Sequence, residues 1–93
     1  SNEPGFYKNG EYGIRIENLV LVKKSKTKNF LEFETLTMFP YEKNLIDKEM
    51  LNTQQKQWIN NYHQAVYKKI SPHLKSKERV WLKEKSFKFN LSR

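Results

Sequence analysis

The sequence predicts an α+β fold, with antiparallel strands in the first half and helices in the second. Two observations carry this. Before Pro40, apolar residues alternate with polar ones or are punctuated by turn dipeptides. After it, apolar residues recur at three- and four-residue spacing, the period of one helix face.

Pro4-Gly5 and Asn9-Gly10 are turn signals, and Asn9-Gly10 is a strong hairpin dipeptide. A strand is expected over Tyr12–Val22. Ile14 and Ile16 alternate there with Arg15 and Glu17, giving two unlike faces. Leu19–Val22 is continuously apolar, as in a strand covered on both sides. A further strand is expected over Phe30–Phe39, where Leu31, Phe33 and Thr35 alternate with Glu32 and Glu34. The lysine-rich stretch from Lys23 to Lys28 has no apolar anchor and reads as an exposed loop joining these strands as antiparallel neighbours.

A short helical turn is expected around Asp47 to Leu51. Asn52 or Thr53 can cap the next helix, because either side chain accepts from an orphan backbone N–H. That helix should run to about Ile70, with Trp58, Ile59, Tyr62, Val66 and Ile70 as its apolar stripe. Ser71-Pro72 interrupts it, since proline lacks the helical donor and disfavours helix in the preceding residue. Another helix should start at Ser76 and bury Val80, Trp81 and Leu82. The tail Phe87-Lys88-Phe89-Asn90-Leu91 alternates like a strand, and could either pair with another segment or fray. Trp58 and Trp81 read as packing residues.

The chain has 93 residues, a formal net charge of +8 and no cysteine. That length allows one small domain or a piece of a larger one. Without cysteine there is no disulfide framework, thiolate metal site or cysteine nucleophile. No apolar run approaches the roughly 18 residues that span a bilayer, and the start does not resemble a signal peptide. A soluble, intracellular protein is expected. The positive charge is nearly all lysine, with arginine only at Arg15, Arg79 and Arg93. Arginine is the usual bidentate reader of guanine and phosphate, so this balance favours a solvated basic surface over a nucleic-acid face. No nucleic-acid or membrane partner is expected.

The residues able to carry chemistry lie in the first eighteen. Glu3 and Glu17 sit fourteen positions apart around a turn and could meet on adjacent strands. A two-residue turn at Asn9-Gly10 would instead pair Glu3 with Ile16, so the connection must be longer or bulged. Arg15 shares the face of Glu17. That face reads either as an exposed ion pair on an edge strand or as a polar site backed by isoleucines. His63 and His73 have no partner at metal-ligand spacing and read as structural or surface residues. Asn90-Leu91-Ser92 fits a glycosylation sequon by chance composition.

The run Ser1-Asn2-Glu3-Pro4-Gly5-Phe6-Tyr7, then Gly10-Glu11-Tyr12-Gly13-Ile14-Arg15-Ile16-Glu17-Asn18, closely resembles the final segment of Xaa-Pro aminopeptidases. These are members of the pita-bread metallopeptidase family. The resemblance continues through Phe33-Glu34-Thr35-Leu36-Thr37, Leu45-Ile46-Asp47 and Trp58-Ile59-Asn60-Asn61-Tyr62-His63, and reaches about residue 85.

It implies terminal antiparallel strands of a pita-bread catalytic domain over 1–39, a helical C-terminal extension over 40–85, and a tail over 86–93. It also implies a site for two divalent metal ions, manganese by family habit, held by two aspartates, one histidine and two glutamates. Glu3 would bind one metal and Glu17 would bridge both. Arg15 would orient a ligating carboxylate, and Tyr7 would hydrogen-bond the substrate or the tetrahedral intermediate. The aspartates and histidine would lie before Ser1, so the chain by itself is expected to be inactive. The implied whole is a cytoplasmic, homodimeric aminopeptidase acting on peptides with proline at the second position, with the remainder of the same enzyme beside these strands. Three alternatives stay open: an Xaa-Pro dipeptidase of the same family, a small basic binding module, and an oligomerisation domain.

Overall fold

A computed structural model describes residues 1–91. The order is β1 (Gly5–Lys8), β2 (Tyr12–Arg15), β3 (Val20–Lys24), β4 (Leu31–Thr35), α1 (Thr53–Ile70) and α2 (Ser76–Lys85), with 3-10 turns at Lys43–Leu45, Lys48–Met50 and Ser71–His73. The α+β class is as expected. The chain forms two compact units, Ser1–Thr37 and a second from Met38 onward.

The first unit is two antiparallel hairpins, β1–β2 and β3–β4. The strand expected over Tyr12–Val22 is in fact two strands belonging to different hairpins. The break follows from hydrogen bonding. Asn18 still pairs in line with the first hairpin, exchanging two backbone bonds with Asn2 of 2.8 and 2.9 Å, whereas Leu19 N–H donates to the Thr37 hydroxyl at 2.8 Å, on the side of the second. The expected Phe30–Phe39 strand is likewise shorter. Its pairing ends near Leu36, whose N–H donates to the Leu19 carbonyl at 2.8 Å. Lys23 and Lys24 lie within β3, and Lys23 faces Glu32 directly across the ladder with a 3.7 Å ion pair. The connecting loop closes through Ser25 N–H on the Phe30 carbonyl, with Asn29 in the left-handed region at φ 68°.

This unit has no apolar core. Leu21, Val22, Leu31 and Phe33 are each at least half exposed, so Leu19–Val22 is not covered on both sides here. Two-stranded hairpins are marginal alone, and these leave an apolar face for something to cover.

The second unit is built around α1. Asn52 caps it through a reciprocal box: the Asn52 side chain accepts from Gln55 N–H at 2.8 Å, and the Gln55 side chain accepts from Asn52 N–H at 3.0 Å. Tyr62, Val66 and Leu82 form the core, flanked by Met38, Tyr41, Tyr67, Ile70 and Leu74. Of the three α2 residues expected inside, only Leu82 is buried; Val80 faces outward at 68% exposure, and Trp81 is half exposed against Phe39, with ring centroids 6.4 Å apart. The reason is helical period, because three consecutive residues cannot share one narrow stripe. Trp58 stacks on Tyr62 with centroids 5.4 Å apart, yet remains half exposed.

Two buried polar side chains of α1 bind irregular main chain. Asn60 donates to the Phe89 carbonyl at 2.9 Å and accepts from Phe89 N–H at 2.6 Å, as a strand neighbour would. The alternating tail is therefore paired, but with a side-chain amide rather than a strand. The last sequon position, Ser92, and the end of the tail lie outside the described residues. Asn60→Ala should release this tail and cost about 1–3 kcal/mol, because it orphans a buried donor and acceptor. Hydrogen exchange at the Phe89 amide checks this, and unchanged protection would contradict it.

Candidate metal centre

The site is assembled by one tight turn. β1 pairs with β2 in the register Gly5 to Arg15 through Lys8 to Tyr12. Glu11 N–H donates to the Lys8 carbonyl at 3.0 Å, and Gly10 occupies the third turn position at φ 74°. A type II turn requires that left-handed conformation, which glycine adopts without strain. The connection thus holds three residues, Asn9 to Glu11, and not two. The one-residue lengthening moves the partner of Glu3 from Ile16 to Glu17.

Pairing continues beyond the regular ladder. Ile16 N–H donates to the Pro4 carbonyl at 3.0 Å, and Asn2 and Asn18 form an antiparallel bridge. Pro4 has no N–H to return, so the ladder is thinned there without losing register. Between these two hydrogen-bonded pairs, Glu3 stands directly opposite Glu17. By the alternation of an antiparallel ladder, this is a narrow, non-hydrogen-bonded pair, in which side chains approach most closely. The Gly5–Arg15 and Tyr7–Gly13 pairs fall in the same class and on the same face. All four residues singled out from the sequence, Glu3, Tyr7, Arg15 and Glu17, therefore share one side of one hairpin. Phe6, Ile14 and Ile16 occupy the other, where Phe6 and Tyr12 rings lie 6.0 Å apart.

Two carboxylates directly opposite each other repel. Arg15 offsets this by standing beside both. Its Nη1 lies 3.8 Å from Glu3 and its Nε 3.8 Å from Glu17. The Ser1 hydroxyl also donates to Glu3. The three charged side chains remain substantially exposed, so the ion pairs contribute little to stability. Their net charge is −1, and their donor atoms toward a cation are oxygens. Among the described residues, no group of three or more His, Cys, Asp or Glu converges as a complete metal site.

The histidines lie elsewhere. His63 is fully buried in α1. Its Nδ1 is 2.7 Å from the Phe87 carbonyl, and Tyr41 N–H donates to its Nε2 at 3.1 Å. A carbonyl only accepts and an amide only donates, so the partners require the neutral tautomer with its proton on Nδ1. Burial lowers its pKa from the ordinary 6.5, opposed by the bond to Phe87. His63 is thus a packing hub, a role that a lone histidine in a helical stripe signalled only as "structural". His73 is exposed.

Residues 29–89 match the family described as the C-terminal region of peptidase M24. The chain belongs to the peptidase M24 family. The match begins within the second hairpin's loop and reaches into the tail, so this M24 region takes in β4 together with all the helices. Among curated relatives, the "Probable Xaa-Pro aminopeptidase P" of Coprinopsis cinerea is 47% identical over 94 residues, covering 92% of this chain. Its counterpart in Laccaria bicolor is 47% identical over 91 residues, covering 89%. The chain spans only 15% and 14% of the lengths of these two relatives. A solved X-prolyl aminopeptidase of Caenorhabditis elegans, a cytosolic enzyme with a di-nuclear active site, superimposes with a TM-score of 0.85 at 38% identity. That match covers 94% of this M24 chain and 15% of the neighbour. No helix among the described residues is long and apolar enough to cross a membrane.

Proposed function

We propose that this chain is the C-terminal part of a cytoplasmic Xaa-Pro aminopeptidase, which removes the N-terminal residue from peptides whose second residue is proline. The observation that carries the proposal is the narrow Glu3–Glu17 pair with Arg15 beside both carboxylates. Its oxygen donors and net negative charge suit hard divalent cations. In this reading Glu3 and Glu17 would hold the metal ions, Glu17 serving both. Two divalent ions, when bound, supply Lewis-acid polarisation of the scissile carbonyl. The remaining work falls to the chain's own groups. Arg15 holds the carboxylates in orientation through its rigid fork of donors. The Tyr7 hydroxyl donates a hydrogen bond to the substrate oxygen on which charge develops.

Residues 1–39 then serve as the last strands of the catalytic domain, 40–85 as its helical extension and 86–93 as a tail. The uncovered apolar residues of both hairpins support this division, because the remainder of the same enzyme would cover them. The curated relatives carry the aminopeptidase name, which favours that activity over a dipeptidase. Manganese as the metal and a homodimer as the assembly rest on the sequence resemblance.

Two glutamates cannot hold two metals, so the 93-residue chain alone should not hydrolyse an Xaa-Pro peptide at any manganese concentration. Chelator-sensitive release of the N-terminal residue by the purified chain would refute this. The full-length protein should release it, from peptides longer than two residues as well as from dipeptides.

A further inference from the structure

The Tyr7 ring lies flat along the site face instead of standing off it. A Cβ built on Gly13, directly across the ladder, would lie 2.7 Å from Cδ1 and 3.2 Å from Cε1 of that ring. A Cβ built on Gly5, two residues earlier on the same strand, would lie 2.7 Å from the Tyr7 hydroxyl oxygen and 2.9 Å from Cζ. The ring thus fills the volume that both missing side chains would take. Its base rests on Gly13 and its hydroxyl on Gly5, so the phenol points along the hairpin toward the Glu3–Glu17 pair.

Neither glycine is needed for backbone reasons. Among the described glycines only Gly10 has a positive φ. Glycine inside a strand weakens it unless another group must approach closely. Here that group is an aromatic ring laid over a glycine, a known device for repairing such a strand.

We propose that Gly5 and Gly13 are positioning residues that aim the Tyr7 hydroxyl at the carboxylate pair. This rests on the reading that Tyr7 works at that site. The two substitutions differ in kind. At Gly13 a methyl group meets the base of the ring, which must rotate as a whole. At Gly5 it meets the outer end of the ring, 2.7 Å from the hydroxyl oxygen and 2.9 Å from Cζ, and displaces the hydroxyl directly. Both substitutions should therefore lower turnover. The lower backbone entropy of alanine offsets only part of the cost of moving the ring.

The test is a double-mutant cycle in the full-length protein, following kcat and KM on an Xaa-Pro tripeptide together with the melting temperature. Gly13→Ala is expected to lower kcat by up to about a hundredfold, the scale of a group misplaced by about 1 Å, with KM near the parent's and any fall in melting temperature equal in the Tyr7→Phe background. In a Tyr7→Phe background the same substitution should have no further effect on kcat, because the hydroxyl it misdirects is already gone. Equal losses in both backgrounds, or a parental kcat for Gly13→Ala beside an impaired Tyr7→Phe, would overturn the positioning role. A parental kcat for Tyr7→Phe itself would instead overturn the underlying reading of Tyr7. Should Gly13→Ala not fold, Gly5→Ala runs the same cycle.

Discussion

Glu17→Gln in the full-length protein should remove both bound metals and lower kcat/KM by more than the about 10- to 100-fold typical of losing an outer hydrogen-bonding partner. Glutamine keeps the shape of the side chain and the strand register but loses the charge and one oxygen donor. If Glu17 serves both ions as proposed, its loss should empty the whole centre. Glu3→Gln should be distinguishable, because a ligand to one ion leaves the other in place. Metal counted per protein by elemental mass spectrometry separates the two cases. Glu11→Gln is the control, since Glu11 lies in the connecting turn and pairs with exposed Lys8 at 3.1 Å. Full metal content and full activity in Glu17→Gln would remove Glu17 from the role proposed.

The second unit should lose stability in mild acid, and His63 should be the cause. Burial holds the His63 pKa below its ordinary value of 6.5. In the unfolded chain the imidazole therefore takes up its proton at a higher pH than in the folded one. Between the two values the unfolded state binds more protons, so stability rises with pH. The contribution is fully present above about 6.5 and is lost as pH falls toward the folded value. The geometry explains why a proton is unwelcome: it would add to Nε2, which already accepts from Tyr41 N–H at 3.1 Å.

Urea unfolding of the chain at a series of pH values, followed by the fluorescence of Trp58 against Tyr62, measures this. His63→Gln should flatten the acid side of the profile. His63→Ala should cost about 3 kcal/mol at neutral pH, from a cavity plus two orphaned main-chain groups. An acid profile unchanged by His63→Gln would exclude this histidine as the sensor.

Part of the arrangement on this hairpin face is legible in the sequence. The residue pattern marks Glu3, Glu17 and Arg15, the family resemblance adds Tyr7, and for the glutamates to meet the connection must be longer than two residues or bulged. The missing piece was Gly10 in a left-handed conformation, which lengthens the turn and brings the glutamates face to face. Nothing in the spacing indicated where Tyr7 would lie, because the resting place of a ring depends on the strand opposite. The strand boundary at Ile16–Leu19 was also missed. Its residues have the composition of a continuous strand, and only the competing bonds of Asn18 to Asn2 and Leu19 to Thr37 divide it.

Sequence alone determined the elements whose causes are local. The hairpin turn at Asn9-Gly10, the start of α1 after Asn52, its end at Ser71-Pro72 and the start of α2 at Ser76 each depend on a few neighbouring residues. The tertiary structure decided which faces are buried and which polar groups meet. Val80 and Leu82 are two residues apart in one helix, yet only Leu82 reaches the core with Tyr62 and Val66. Asn60 and His63 find the main chain of Phe89 and Phe87 more than twenty residues away, and Tyr62 finds that of Phe39. A donor buried in a core must find an acceptor somewhere along the whole chain. Which one it finds depends on how the segments pack, which local sequence does not specify.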